Sequence, residues 1–376
     1  MEEIDGKYTG RIWITFRRFD LQRVLQFAKK WHVRREMWLA WENRYASTNM
    51  TLFRQAILLR DEAARLLGYP HNSALKVKEK MIEDVQVVKE SLEKTQRQLT
   101  STVQTELAVL RDLKAKHIAE LGYDDDEKPD IYLTKYSKFH GTRVAQDFVE
   151  VPSMMLENFF WVEQNIQDIS LHYSYLSSEF QAAWCELQKK NIKRGTQSED
   201  TSDRLLPLPA RQLSDETARN VVKSRYTLNG LRCLHQIFMA KFDQTVYSPL
   251  THLELETLNL TETWNKTRKE ITGLCGLEME GRGWDWGHGY SRFRGTMGAQ
   301  EAGYYTYLLS QDYSLDIWNT FFSKDPMSAS EGRRYRHMIF EKGGSQDAWD
   351  VLTEYLGREP NPEAFEKHIA MSLANI

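Results

Sequence analysis

Asp147 and Glu150 lie three residues apart, just before Val151, Pro152 and Ser153 and an apolar, aromatic run through Phe159, Phe160 and Trp161. On a helix that spacing puts both carboxylates on one face, where one could bind a cation while the other orients a neighbouring ligand. An acid pair in a first turn also favours a helix N-terminus electrostatically, so the pair has a structural reading beside the chemical one. A catalytic zinc needs about three protein ligands and an open position for water. Its helical signature is H-E-x-x-H, and among the ten histidines no two are four residues apart. Cys185, Cys233 and Cys275 are isolated and odd in number, which excludes a cysteine zinc cluster and fits reduced thiols. No G-x-S-x-G, P-loop or dinucleotide fingerprint is present.

The elements that must position these groups read as helices. Arg11 to Arg17 alternates polar and apolar side chains and predicts a strand. Asp20 is expected to cap a helix from Leu21 to Trp31, followed by helices at Arg34–Tyr45 and Thr51–Leu67. Gly68 stands where the last of these needs a left-handed residue, with Pro70 just beyond. From Lys76 to Leu121 an apolar stripe through Met81, Val85, Val88, Leu92, Leu99, Val103 and Leu107 predicts one long helix, packed on a domain in preference to forming a coiled coil. Residues 122–135 contain a Gly, a Pro and the four acids Asp124 to Glu127, and read as a join between an N-terminal helical region, 1–121, and a C-terminal one, 136–376. Helices are then expected at Pro152–Ile169 and Phe180–Lys193, from a Ser214 cap through Phe242, and at Leu253–Leu274, with a polar surface loop over Arg194–Asp203.

With 376 residues, 41% hydrophobic and 12% aromatic, the chain has ample material for a core. Fifty basic against 53 acidic residues give a net charge of −3, so no charge bias points to nucleic acid or an anionic membrane. The first residues lack an apolar signal region and no apolar stretch reaches a membrane span, so a soluble, cytoplasmic protein is expected, and a monomer is expected beside it.

Several stretches resemble one family in the right order. Tyr136 to Thr142 followed by Asp147 to Glu157 is similar to the segment after the zinc motif in the thimet oligopeptidase and saccharolysin metallopeptidases, peptidase family M3. Leu58 to Tyr69, Ala302 to Tyr307, Gly343 to Ser345 and Leu356 to Asn361 add further similarity, closest in wording to fungal members. The resemblance implies a mainly α, zincin-like multi-helical fold with a minor β component, and an ancestral zinc-dependent cleavage of short peptides. It implies Glu150 as the third zinc ligand, Asp147 as the group orienting the ligands, and His288, Tyr304 and Tyr307 as substrate contacts.

The same resemblance exposes departures. The H-E-x-x-H that would supply two zinc ligands and the general base is absent, so zinc is expected not to be bound by this chain. Trp286 to Phe293 keeps the entry to a glycine-rich loop that in the relatives moves over bound peptide. Gly295 stands where relatives have a histidine, and Gln300 where they have a tyrosine; both missing groups are donors to the oxyanion in the family mechanism. Three expectations follow: an oligopeptidase homologue inactive as written, a peptide-binding pseudoenzyme of a fungal peptide-processing or biosynthetic pathway, or a truncated reading of an active gene.

Overall fold

Apolar residues at helical spacing, interrupted by capping residues and glycines, build almost all of the structure. The computed structural model describes residues 14–28, 31–78, 80–100, 144–195, 208–281, 283–298 and 300–374, together with the two-residue strands β1 (Glu3–Ile4) and β2 (Lys7–Tyr8). These two strands pair antiparallel, Ile4 opposite Lys7. The fold is mainly α, as the resemblance implies. The predicted strand at Arg11–Arg17 is not formed where it is described, since residues 14–17 are irregular. The join at 122–135, the stretch Tyr136–Thr142 and most of the Arg194–Asp203 loop lie outside the described residues.

The chain divides into two compact units, Met1–Gln98 with Arg232–Leu308 and Leu99–Leu231 with Leu309–Ile376. The first unit contains α1 (Arg18–Phe27), α2 (Trp31–Asn43), α3 (Ala46–Leu66), α4 (Asn72–Val77) and most of a helix α5, described over residues 85–100. It also takes most of α10 (Asn229–Tyr247), and α11 (His252–Thr257), α12 (Leu260–Thr272) and α13 (Arg294–Met297). On α3 the residues Phe53, Ile57 and Ala64 share one face and are fully buried. Phe53 meets Phe242 of α10 at 6.3 Å and Tyr290 at 5.5 Å, and Trp264 of α12 packs edge-on against Phe238 and Phe242 at 4.6 and 4.8 Å. Each such ring contributes about 1.5–3 kcal/mol by leaving water, plus a smaller orientation-dependent gain.

The second unit contains α6 (Val151–Glu157), α7 (Glu163–Ile169), α8 (Ser178–Gly195) and α9 (Asp215–Ser224). It also holds the end of α14 (Thr306–Ile317), and α15 (Ala329–Tyr335), α16 (Ala348–Leu356) and α17 (Glu363–Ala374). Its core joins Phe159 to Trp318 and Phe322 at 4.9 and 5.5 Å, and Tyr335 to Tyr355 at 5.4 Å. Asp347 caps α16 by accepting from the backbone N–H of Trp349 and Asp350.

Several boundaries differ from expectation for identifiable reasons. Helix α3 ends as predicted, with Gly68 at φ +84°. Helix α1 starts at Arg18, so Asp20 lies in its first turn and not at its cap, where it accepts from the Thr15 hydroxyl. The expected continuous helix from Lys76 is broken between Val77 and residue 85. Lys80 in that break is buried and its ammonium reaches the carbonyl of Ala302 at 3.2 Å. The helix expected over Pro152–Ile169 divides at Val162, whose extended backbone precedes α7. The one expected over Leu253–Leu274 divides at Leu258, because Asn259 turns its side chain to cap α12 through the N–H of Glu262. Ser214 does cap α9, by accepting from the N–H of Thr217, but α9 ends at Ser224 and Leu228, at φ 55°, separates it from α10.

Candidate functional site

The acid pair belongs to the second unit. Asp147 and Glu150 lie in the turn that leads into α6, not on the helix itself, and Glu150 occupies the N-cap position. Asp147 is completely buried and its backbone carbonyl accepts from the Ser310 hydroxyl at 3.2 Å. The Glu150 carboxylate is half-buried and accepts from Ser153 Oγ at 2.8 Å, while the same hydroxyl also reaches the Glu150 carbonyl at 2.9 Å. The two carboxylates therefore differ in burial and do not share one exposed helix face. Among the described residues no group of three or more His, Cys, Asp or Glu side chains is placed to hold a metal ion. Glu150 occupies the N-cap position of α6 without a side-chain cap bond, its carboxylate turned to Ser153 instead.

The tyrosines belong to the first unit. Tyr304 and Tyr307 lie 5.4 Å apart, and Tyr304 packs edge-on against Phe293 at 4.8 Å. Gln300 donates its side-chain N–H to the Tyr307 hydroxyl. The segment that carries them is tied down by buried and half-buried side chains of α3, α4 and α10. Arg60 donates to the carbonyls of Thr296 and Met297 at 3.2 and 3.0 Å, and Tyr247 donates to Thr296 at 2.6 Å. Glu301 is paired with Arg60 at 2.5 Å and Lys76 at 2.8 Å. Ala302 has the left-handed backbone that a side chain disfavours, φ 53°, and its carbonyl is held by both Lys80 and Gln244.

Beneath this segment lies Asp243 of α10, fully buried, whose Oδ2 accepts from the backbone N–H of Tyr304 at 3.1 Å. Burial pushes its carboxyl up to about 7, against the opposing effects of that N–H and the Lys80 charge. Burial likewise raises the Tyr304 phenol, reinforced by Tyr307 and by Asp243. His288 is held elsewhere in this unit: its Nδ1 is 2.6 Å from Asn43 Oδ1 on α2, and its Nε2 is 3.5 Å from Asp285. Among the described residues no contact joins it to Tyr304 or Tyr307. The structure thus brings together the two tyrosines, with Gln300 and Gly295, and keeps His288 in a separate hydrogen-bonded group.

Sequence reasoning did not single out Asp243. The available signal was an acid on the same helical face as Ala240, Val246 and Tyr247 of α10, where burial demands partners.

The chain belongs to peptidase family M3, whose family profile matches residues 24–132 and 131–371. An oligopeptidase named PhomG' from Diaporthe leptostromiformis is 40% identical over 232 residues, which are 62% of this chain and 18% of that protein. Saccharolysin of Saccharomyces cerevisiae is 29% identical over 239 residues, 63% of this chain and 28% of its own length. A mitochondrial intermediate peptidase of Arabidopsis thaliana is 26% identical over 233 residues, 60% and 26% respectively. The matched stretch thus spans less than a third of each of these relatives.

Proposed function

We propose that the 376-residue chain binds short peptides on a family M3 scaffold and does not hydrolyse them. The observation that carries this reading is the Tyr304–Tyr307 pair held on an anchored loop, while the Glu150 carboxylate is bonded to Ser153 Oγ with no group of metal-ligating side chains around it among the described residues. Without zinc nothing brings the pKa of an attacking water from 15.7 toward about 7, and no glutamate of an H-E-x-x-H stands ready as base. Tyr304, Tyr307 and His288 are assigned to peptide contact, Glu150 and Asp147 to the positions of a lost zinc ligand and its support. A cytoplasmic location and a monomeric state are part of the proposal. Saturable heat on titration with short peptides, and no chelator-sensitive cleavage of a quenched peptide, are the expected results. Robust chelator-sensitive cleavage would overturn the reading.

A second reading is favoured by the family match itself, whose two stretches meet at residues 131–132, inside the join at 122–135. An H-E-x-x-H segment missing at that point would restore Glu150 as a ligand. Sequencing the transcript across 122–136 tests it: an in-frame insertion with that motif supports the second reading, and an uninterrupted transcript removes it.

A further inference from the structure

Gly295 and Gln300 are in contact. A Cβ on Gly295 would sit 2.7 Å from Gln300 Oε1, 3.3 Å from the Phe293 ring and 3.4 Å from the Tyr304 ring. The amide of Gln300 therefore occupies the volume that a side chain at 295 would take. Its other end donates an N–H to the hydroxyl oxygen of Tyr307. This fixes the polarity of the phenol: an oxygen that accepts from Gln300 keeps its own proton for a second partner. Neighbouring hydrogen bonds polarise one another, so the accepted bond strengthens the phenol as a donor. Tyr307 is half-exposed, and among the described residues its hydroxyl meets no other hydrogen-bonding group.

We propose that Gln300 is a positioning residue that makes Tyr307 a one-way donor toward a carbonyl oxygen of a bound peptide, and that it requires glycine at 295. The inference rests on the peptide-binding reading above, and supplies a reason for the two departures to occur together: each occupies or vacates the space the other needs.

The test uses the full chain and short synthetic peptides blocked at both ends, so that backbone carbonyls are the acceptors. Gln300→Glu keeps the size of the side chain but leaves a carboxylate that only accepts, so it captures the Tyr307 proton. Peptide binding is expected to weaken about three- to tenfold, the effect of one neutral hydrogen bond. Tyr307→Phe should weaken it to the same extent, and the double variant no further. The tyrosine Fermi doublet in ultraviolet resonance Raman, isolated by subtracting the Tyr307→Phe spectrum, reports the hydrogen bond without any ligand. It should change from an accepting phenol in the wild type to a donating one in Gln300→Glu, which a purely space-filling Gln300 would not produce. Unchanged peptide affinity or an unchanged doublet in Gln300→Glu overturns the inference while wild-type peptide binding stands. Wild-type chain that binds none of the peptides overturns the peptide-binding reading itself, and this inference with it.

Discussion

A carboxyl at full burial is tolerated only where it is hydrogen-bonded or neutral, and Asp243 is partly both. Its pKa of about 7 lies above the ordinary aspartate value, so between about pH 4 and 7 the folded chain holds a proton that the unfolded chain has lost. Stability from this group is therefore fully present below pH 4 and is lost as pH rises through 7. The raised value corresponds to roughly 4 kcal/mol across that window. Asp243→Asn keeps an acceptor for the Tyr304 N–H and cannot ionise. Urea unfolding of this variant between pH 4 and 8 should lose the downward slope that the wild type shows; parallel pH profiles would contradict the assignment. Gly289, elsewhere in the first unit, is needed for a different reason. A Cβ there would lie 2.7 Å from Glu42 Oε2 and as close to the Trp264 ring, and Glu42 is buried against Arg292. Gly289→Ala should lower the urea midpoint without altering the slope m, because the clash is with the packed native state.

At the scale of elements, caps decide where helices stop. Asn259 accepts from Glu262 and sets the start of α12, so Asn259→Ala should cost about 1 kcal/mol in chemical unfolding. Arg60→Gln should speed amide exchange over residues 296–301, since Arg60 holds the carbonyls of Thr296 and Met297 and the carboxylate of Glu301. Unchanged exchange would show that Tyr247 and Lys76 suffice. These devices explain how much was legible beforehand. The end of α3 at Gly68 and the cap at Ser214 are local signals, and both were readable. The break before residue 85 ends at Asp84, whose side chain accepts from the Gln86 N–H, and it holds Lys80 against Ala302, 222 residues away, a contact no periodicity reveals. Of the candidate site, Tyr304 and Tyr307 were singled out through the resemblance, and the structure sets their rings side by side. Their support by Asp243 and Gln300 was not, because an acid in a helix and an amide in a loop acquire meaning only from what they touch.

For the whole molecule, membership of family M3 and the loss of a recognisable zinc motif pull in different directions. The proposed peptide recognition rests on the family scaffold, while hydrolysis would need about three zinc ligands, and the described residues hold no such group. Removal of metal should accordingly leave both stability and peptide affinity unchanged, in contrast to a chain whose site is completed by zinc. The most direct measurement is a calorimetric titration of the pure 376-residue chain with short peptides, carried out with added zinc and again with chelator, followed by mass analysis of the recovered peptide. The account predicts saturable binding of equal strength in both conditions and peptide recovered intact. Peptide cut in the zinc sample and spared by chelator, or no saturable heat in either, would contradict it.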